Sequence, residues 1–289
     1  MSSSNTKVKV AMLSVISNTT LIILKIIAGL LSGSVSIISE AIHSGMDLAA
    51  SAIALFSVKV SSKPADKDHP YGHGKVENIS GVVEGLLIFV AAFLIIKGAI
   101  GKIIHPAELS ETYIGIVVMA ISAIINMIVS KILYKTAKKE DSIALEADAL
   151  HLKTDVYTSA GVAAGLVLIK ITGITIFDPI TAILVALLIV KEAWSLCRHA
   201  FSPLIDTSLT EDEQKDIREV LDTYNGKIKE FHKLRTRKSG NIKYIDFHLV
   251  VDGSTTVEEA HILSDEIQRE LEHKIKNTNV HIHIEPEKS

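Results

Sequence analysis

Two kinds of patterning divide the chain. Up to about residue 200, long apolar runs alternate with short polar links; beyond it the runs are short and charge is frequent. At about 20 residues per bilayer crossing, the apolar part predicts six helical spans near 10–31, 36–60, 77–104, 112–136, 143–170 and 177–201. The links Leu31–Val35 and Thr172–Ile176 leave room only for tight hairpins. After Pro203, Thr210-Glu-Asp-Glu213 reads as a helix start, an N-cap Thr followed by Glu three residues on. That helix runs to about Thr223. Strand-like runs follow at 228–237 and 242–251, joined by Lys238-Ser-Gly240-Asn241, a hairpin signal. A helix over 256–276 carries Val257, Ala260, Ile262, Leu263, Ile267 and Leu271 as its apolar positions, and a last strand spans Val280 to Glu285. The expected fold is a membrane all-α six-helix bundle, residues 1–205, followed by a small soluble α+β domain of order α-β-β-α-β, residues 206–289.

Composition narrows the reading. Of 289 residues, 48% are hydrophobic and 22% charged, a charged share too high for a wholly embedded chain and in keeping with a soluble second domain. The net charge of −3 gives no electrostatic footprint for nucleic acid. The single cysteine, Cys197, excludes a disulfide framework and a cysteine zinc site. The first apolar run is too long for a signal peptide and is expected to stay as a helix. Lys7 and Lys9, then Lys59, Lys63, Lys67 and Lys75, then Lys131, Lys135, Lys138 and Lys139 load one side of the membrane with positive charge. Both termini are therefore expected in the cytoplasm.

The candidate chemistry begins with a repeat. Glu40-Ala-Ile-His43-Ser-Gly-Met-Asp47-Leu-Ala-Ala-Ser51 returns as Asp148-Ala-Leu-His151-Leu-Lys-Thr-Asp155-Val-Tyr-Thr-Ser159. On a helix, i and i+4 share a face, so each copy presents one imidazole and one carboxylate together. Two such helices face to face give two nitrogens and two oxygens, a tetrahedral set suited to Zn²⁺. Ionisable groups inside a membrane are expensive and usually mark an ion path. A pair that only glues helices together does not explain the repetition. Glu84 on the third span is a candidate for a water path, and Asn18 and Asn126 are read as packing groups. In the loop Pro64-Ala-Asp66-Lys-Asp68-His69-Pro-Tyr-Gly-His73-Gly-Lys75, Asp66, His69 and His73 can converge once the chain curls. In the last domain His281, His283 and Glu285 alternate on one strand face, with His248 on another strand, His232 near a strand start and His261 on a helix.

These residues resemble the cation diffusion facilitator family of divalent metal transporters. The likeness covers nearly the whole chain. It rests on six spans, two HxxxD motifs on the second and fifth, the PADxDHxxGHGKxE loop, and a ferredoxin-like last domain with the LRTRxSG hairpin at Leu234–Gly240. The resemblance implies a homodimeric antiporter that moves Zn²⁺ out of the cytoplasm in exchange for protons, in the plasma (inner) membrane of a prokaryote. By that likeness His43, Asp47, His151 and Asp155 form the transport site. Asp66, His69 and His73 match a cytoplasmic loop site. His232, His248, His261, His283 and Glu285 match a C-terminal site at the dimer interface. Lys75 and Asp206 stand where the family places a salt bridge between protomers. His43 stands where some bacterial members carry Asp, and members with His there look more zinc-selective. Glu285 stands where other members often carry Asp, and His281 has no clear counterpart.

Other readings predict other features. Cd²⁺, Fe²⁺ or Mn²⁺ as substrate keeps the transport class, although an oxygen-rich site would suit Mn²⁺ better. An intramembrane metal hydrolase needs an open coordination position and a general base. There is no HExxH, and Glu40 and Asp148 look like groups that orient His43 and His151. A membrane metal sensor does not explain four donors buried in the spans. A transporter, and not an enzyme, is the expectation.

Overall fold

The structure is a computed structural model that describes residues 3–32, 35–104, 113–174 and 176–287; several side chains within them, including those of residues 35–43 and 46, lie outside the description. The described chain forms two compact units, Met1–Phe201 and Ser202–Ser289. The first is all helix: α1 (Ser3–Ser32), α2 (Val35–Ser61), α3 (Lys75–Ile104), α4 (Tyr113–Glu140), α5 (Ile143–Thr172) and α6 (Phe177–Phe201). Among the described residues, four stretches are long and apolar enough to cross a bilayer: Asn5–Ala28, Lys75–Ile104, Ala120–Glu140 and Pro179–Ile205. At 30 residues, α3 is about 45 Å long, against a hydrocarbon core of about 30 Å. Its ends therefore reach past it, where charge is tolerated.

The bundle is built from close helix pairs, α1 with α2, α4 with α5 and α3 with α6. Its surface is apolar, with Phe56, Phe93, Ile171 and Trp194 exposed, while its interior mixes small residues, Ala11, Ala50, Ala54, Ala92, Ala147 and Ala193, with larger ones such as Ile88, Leu133, Leu145 and Leu152. With lipid outside, burying apolar surface drives little association, so close approach of small residues and internal hydrogen bonds take over. Gly81 shows how close: a Cβ there would lie 2.5 Å from Ile143 Cγ2 and 3.0 Å from Ala200 Cβ.

The buried stripe of α1 reads Lys7, Ala11, Ser14, Asn18, Leu21, Lys25, with alternating steps of four and three. Its polar members make the contacts. Ser14 and Asn18 bond the Ser51 hydroxyl at 2.9 and 2.6 Å, and Lys25 donates to Ser44 Oγ at 2.6 Å. Lys7 donates to Glu77 Oε1 at 2.6 Å, both side chains buried. That carboxylate also accepts from Ser61 at 2.7 Å and, on its other oxygen, from Ser142. One buried group thus joins α1, α2, α3 and the start of α5. The helix predicted to begin near residue 10 starts at Ser3 instead. Its extra turns deliver Lys7 to Glu77, so a lysine expected to precede the first span lies buried inside the helical unit.

The second unit opens with a 3₁₀ turn (Ser202–Ile205), then α7 (Glu211–Thr223), β1 (Glu230–Ser239), β2 (Ile242–Val251), α8 (Val257–Lys274) and β3 (Thr278–Pro286). Both helices begin with a capping box, Thr210 with Glu213 and Thr256 with Glu259. β1 pairs antiparallel with β2 through a two-residue turn in which Gly240 takes φ +60°, and β2 pairs parallel with β3. Ile245, Phe247 and Leu249 of β2 point into a core with Ile217 and Leu221 of α7 and Ile267 and Leu271 of α8. His248, one residue out of phase with them, stands on the opposite face of the sheet.

Glu77→Ala is expected to lower stability by about 3 kcal/mol, because it leaves the Lys7 ammonium buried without its counter-ion. The Lys7→Met/Glu77→Met double variant should lie closer to wild type than Glu77→Ala does. Thermal unfolding of the protein in lipid nanodiscs measures both.

Candidate metal centres

The two HxxxD helices meet. His151 Nε2 on α5 lies 3.1 Å from Asp47 Oδ1 on α2, and both side chains are buried. Asp155, one turn beyond His151, accepts from Asn126 Nδ2 on α4 at 3.2 Å. Asn126, expected as a packing group, therefore holds a carboxylate of the candidate site. The backbone of His43 lies in α2; its side chain lies outside the described residues. Asp148 does not orient His151 as the sequence suggests. It accepts from Ser51 Oγ at 3.0 Å, so the acid of the second motif bonds the serine of the first. Among the described residues, His151 Nδ1 has no hydrogen-bond partner, nor do Asp148 Oδ2 and Glu84 Oε2, all buried. Glu84 is fully buried on α3, with Ser80 donating to its other oxygen at 3.1 Å.

The loop between α2 and α3 gathers three donors. Asp66 Oδ1 accepts the backbone N–H of His69 at 2.7 Å and of Asp68 at 3.1 Å, which folds the chain back on itself. Gly72, at φ +78°, completes the reversal and donates its N–H to the His69 carbonyl at 2.9 Å. His69 Nδ1 then lies 3.3 Å and His73 Nε2 3.4 Å from the Asp66 carboxylate. The His69 backbone N–H holds the Asp66 carboxyl below its ordinary range, with the two imidazoles adding to the effect.

The third constellation lies on the open face of the small sheet. His232 and His248 are cross-strand neighbours on β1 and β2, and His248 and His283 on β2 and β3. β1 bulges after His232, where Lys233 takes φ +54°, so the alternation of its side chains shifts at that point. Glu285 reaches back from β3, with Oε1 2.7 Å from His248 Nδ1 and Oε2 3.2 Å from His232 Nε2. The bond from His248 is the main reason its carboxyl sits below the ordinary range. His283 stands 3.6 Å from Glu285. His261, on α8, is exposed and lies 3.8 Å from Asp265 instead. Among the described residues two sets of three donor atoms fall within 4.8 Å of one another, Asp66/His69/His73 and His232/His248/Glu285. Asp47, His151 and Asp155 do not form a third. Lys7 and Lys25 carry no signal in residue spacing; their sequence signal is a charge on the buried stripe of a helix, whereas Glu77 closes the PADxDHxxGHGKxE motif, which does not itself show that Lys7 pairs with it.

Comparison with known proteins decides the family. Residues 11–205 match the cation efflux transmembrane domain, and residues 209–287 the cytoplasmic domain of cation efflux proteins. The chain belongs to the cation efflux, or cation diffusion facilitator, family. It is an integral membrane cation efflux transporter of divalent metals, and not an enzyme. An uncharacterized transporter of Synechocystis sp. is 35% identical over 91% of this chain and 85% of its own. The cation-efflux pump FieF of Yersinia enterocolitica is 32% identical over 92% of this chain and 88% of its own. Among solved structures, the zinc form of CzrB is 42% identical, covering 28% of this chain and 91% of that one, with a TM-score of 0.27. The metal-bound C-terminal domain of the CzcD transporter from Thermotoga maritima is 29% identical, covering 27% and 94%, with a TM-score of 0.26. In this cation efflux transporter the candidate donors fall into one set inside the helical unit, one in its loop and one on the sheet.

The lowered Glu285 carboxyl sets a pH dependence in the metal-free protein. Its ordinary value is 4.5. The folded value is lower, so its contribution is full above about pH 4.5 and is lost as pH falls through the folded value. Wild type should therefore lose stability faster than Glu285→Gln as pH drops below about 4.5, read by chemical unfolding of the second unit across a pH series.

Proposed function

We propose that the protein exports Zn²⁺ from the cytoplasm in exchange for protons, by alternating access around a site made by His43, Asp47, His151 and Asp155. The observation that carries this reading is the buried 3.1 Å contact between His151 and Asp47, which joins the two repeated motifs across α2 and α5. Two imidazoles and two carboxylates suit Zn²⁺ better than Mn²⁺ or Fe²⁺, which favour more oxygen donors. Proton coupling follows from the donors. Imidazole ordinarily titrates near pH 6.5, and a ring nitrogen cannot carry a proton and a metal at once. Facing the cytoplasm, the site takes Zn²⁺ and sheds protons; facing outward, it takes protons and lets Zn²⁺ go. Rocking of helices around a fixed midplane site provides the two accesses.

The remaining assignments belong to the same reading. On this reading residues 1–205 cross the plasma membrane of a prokaryote six times, the lysine-rich side and both termini lie in the cytoplasm, and residues 206–289 are a cytoplasmic metal-binding domain. Two copies form a homodimer. Asp66, His69 and His73 bind metal at the cytoplasmic loop. His232, His248, His283 and Glu285 bind it on the sheet, and His261 joins from the dimer. The closeness of the donors in each described triad supports both secondary sites.

The test is metal flux into proteoliposomes under an imposed pH gradient, with Zn²⁺, Cd²⁺, Mn²⁺ and Fe²⁺ side by side. Gradient-driven Zn²⁺ flux that disappears in Asp47→Ala and in Asp155→Ala is the expected result. Native-rate flux in Asp155→Ala refutes the site, and a preference for Mn²⁺ or Fe²⁺ refutes the donor argument for zinc. Chelation should lower the unfolding temperature of the second unit in wild-type protein and leave it unchanged in His248→Ala; calorimetry with and without chelator reads this.

A further inference from the structure

The wedge between α4, α5 and α6 holds a cavity of about 540 Å³ that the proposed transport site does not use. Its size falls within the range of about 300–1,000 Å³ usual for small-ligand pockets. α4 and α6 each pack on α5, and the cavity lies toward the end of the bundle where α4 stops, α5 starts and α6 stops. Three charged residues line it at one level. Lys131 is nine residues before the end of α4, Lys153 ten after the start of α5 and Glu192 nine before the end of α6. At 1.5 Å per residue that is about 14 Å in from the helix ends. Where helix ends stand past the hydrocarbon core, this is close to the level at which headgroups give way to acyl chains. Deeper still, Met127 and Val156 make the wall apolar.

Charge in the cavity is sorted by depth. At its mouth Glu146 is already matched, by Lys138 Nζ at 2.8 Å and His199 Nδ1 at 3.7 Å. At the inner level two ammoniums share the cavity with one carboxylate, and Lys153 Nζ stands 5.2 Å from the centre of the Tyr157 ring. Among the described residues, no carboxylate comes within 4.0 Å of either ammonium. Two ammoniums repel a divalent cation, so the metal is a poor occupant. A phosphodiester is a good one: it is a strong acceptor for ammonium groups, and basic pockets between membrane helices hold lipid phosphates. Glu192, at the same level, suits an amine on the same headgroup, and the apolar wall below suits an acyl chain. We propose that this cavity binds a phosphatidylethanolamine from the leaflet at that end of the bundle. Its phosphate lies between Lys131 and Lys153, its amine on Glu192 and one acyl chain along Met127 and Val156. The lipid fills the wedge behind the helix that carries His151 and Asp155. Lys153 stands two positions from each of them, which turns it to another side of α5. Binding here depends only on the chain lying in a membrane, not on which residues carry the metal.

The experiment is native mass spectrometry of the full-length protein released from nanodiscs that hold phosphatidylethanolamine, phosphatidylglycerol and phosphatidylcholine in equal amounts. Wild type should retain one phosphatidylethanolamine per chain. Lys131→Gln and Lys153→Gln should each weaken that retention about tenfold, the scale of one lost charge-assisted bond. Glu192→Gln should still hold a lipid but lose the preference for ethanolamine over glycerol as headgroup. Equal retention of phosphatidylethanolamine by wild type and both lysine variants overturns the proposal. So does the recovery of no lipid from wild type, which marks a water-filled wedge, and so does a preference of wild type for either of the other two lipids. Should Lys153→Gln not fold, Lys131→Gln decides alone, because Lys131 stands exposed on α4. Weakened retention there supports the site and native retention refutes it.

Discussion

A carboxylate buried among helices must be given partners, and Glu77 shows how much structure that requirement organises. Left alone in a low-dielectric interior, an ionised carboxylate costs several kcal/mol. Here it is met by an ammonium from α1 and hydroxyls from α2 and the start of α5. Each partner fixes a helix end relative to α3. Lys7 requires α1 to run back to Ser3, and Ser142 ties the turn between α4 and α5, where Asp141 takes φ +51°. The same requirement recurs deeper in the unit. Asp148 leans on Ser51, Ser51 on Ser14 and Asn18, and Asp155 on Asn126. A bundle that gains little from burying apolar surface takes its register from these polar contacts.

That economy bears on transport. Interlocking alanine faces allow helices to slide or tilt with small changes in packing, whereas the polar contacts have discrete geometries. Among the described residues, the side-chain hydrogen bonds between the helices that carry Asp47 and His151 run through Ser51 and the two candidate donors themselves. On the proposed mechanism, loading the site with metal or with protons alters the very contacts that hold α2 to α5. The coupling between occupancy and access then needs no separate relay.

Much of this was legible in the sequence. The six helices, the capping box at Thr210 and the Gly240 hairpin follow from patterns with a local cause, periodicity or turn chemistry, and apart from the early start of α1 each element forms close to where it was expected. What did not show was pairing. The bond from Ser51 to Asp148 spans 97 residues of chain, and no local rule chooses Ser51 over His151 as the partner of that acid. Lys7 counts in the sequence with the positive charge flanking the first span, because a charge tally knows nothing of the helix face on which it stands. His281, His283 and Glu285 share a strand face as the alternation required, yet it is Glu285 that meets His232 and His248. The bulge after His232 and the parallel register of β3 decide that, and neither is written in strand periodicity.

The contrast among the three donor sets is itself a physical argument about their roles. The loop and sheet triads have their donor atoms already within 4.8 Å of one another, so a metal binding there has little ordering left to do. Such pre-organisation favours residence. In the bundle, Asp47 and His151 touch while Asp155 accepts from Asn126, and among the described donors these three do not come within 4.8 Å of one another as a set. Bringing Asp155 onto a metal with the other two means giving up its hydrogen bond to Asn126, which lowers affinity by the free energy of that change. A transported ion must leave again, so a site that is only part-formed at rest suits transit, and one already formed suits retention. On this reading, the weaker convergence within the helices belongs to the site that carries the flux.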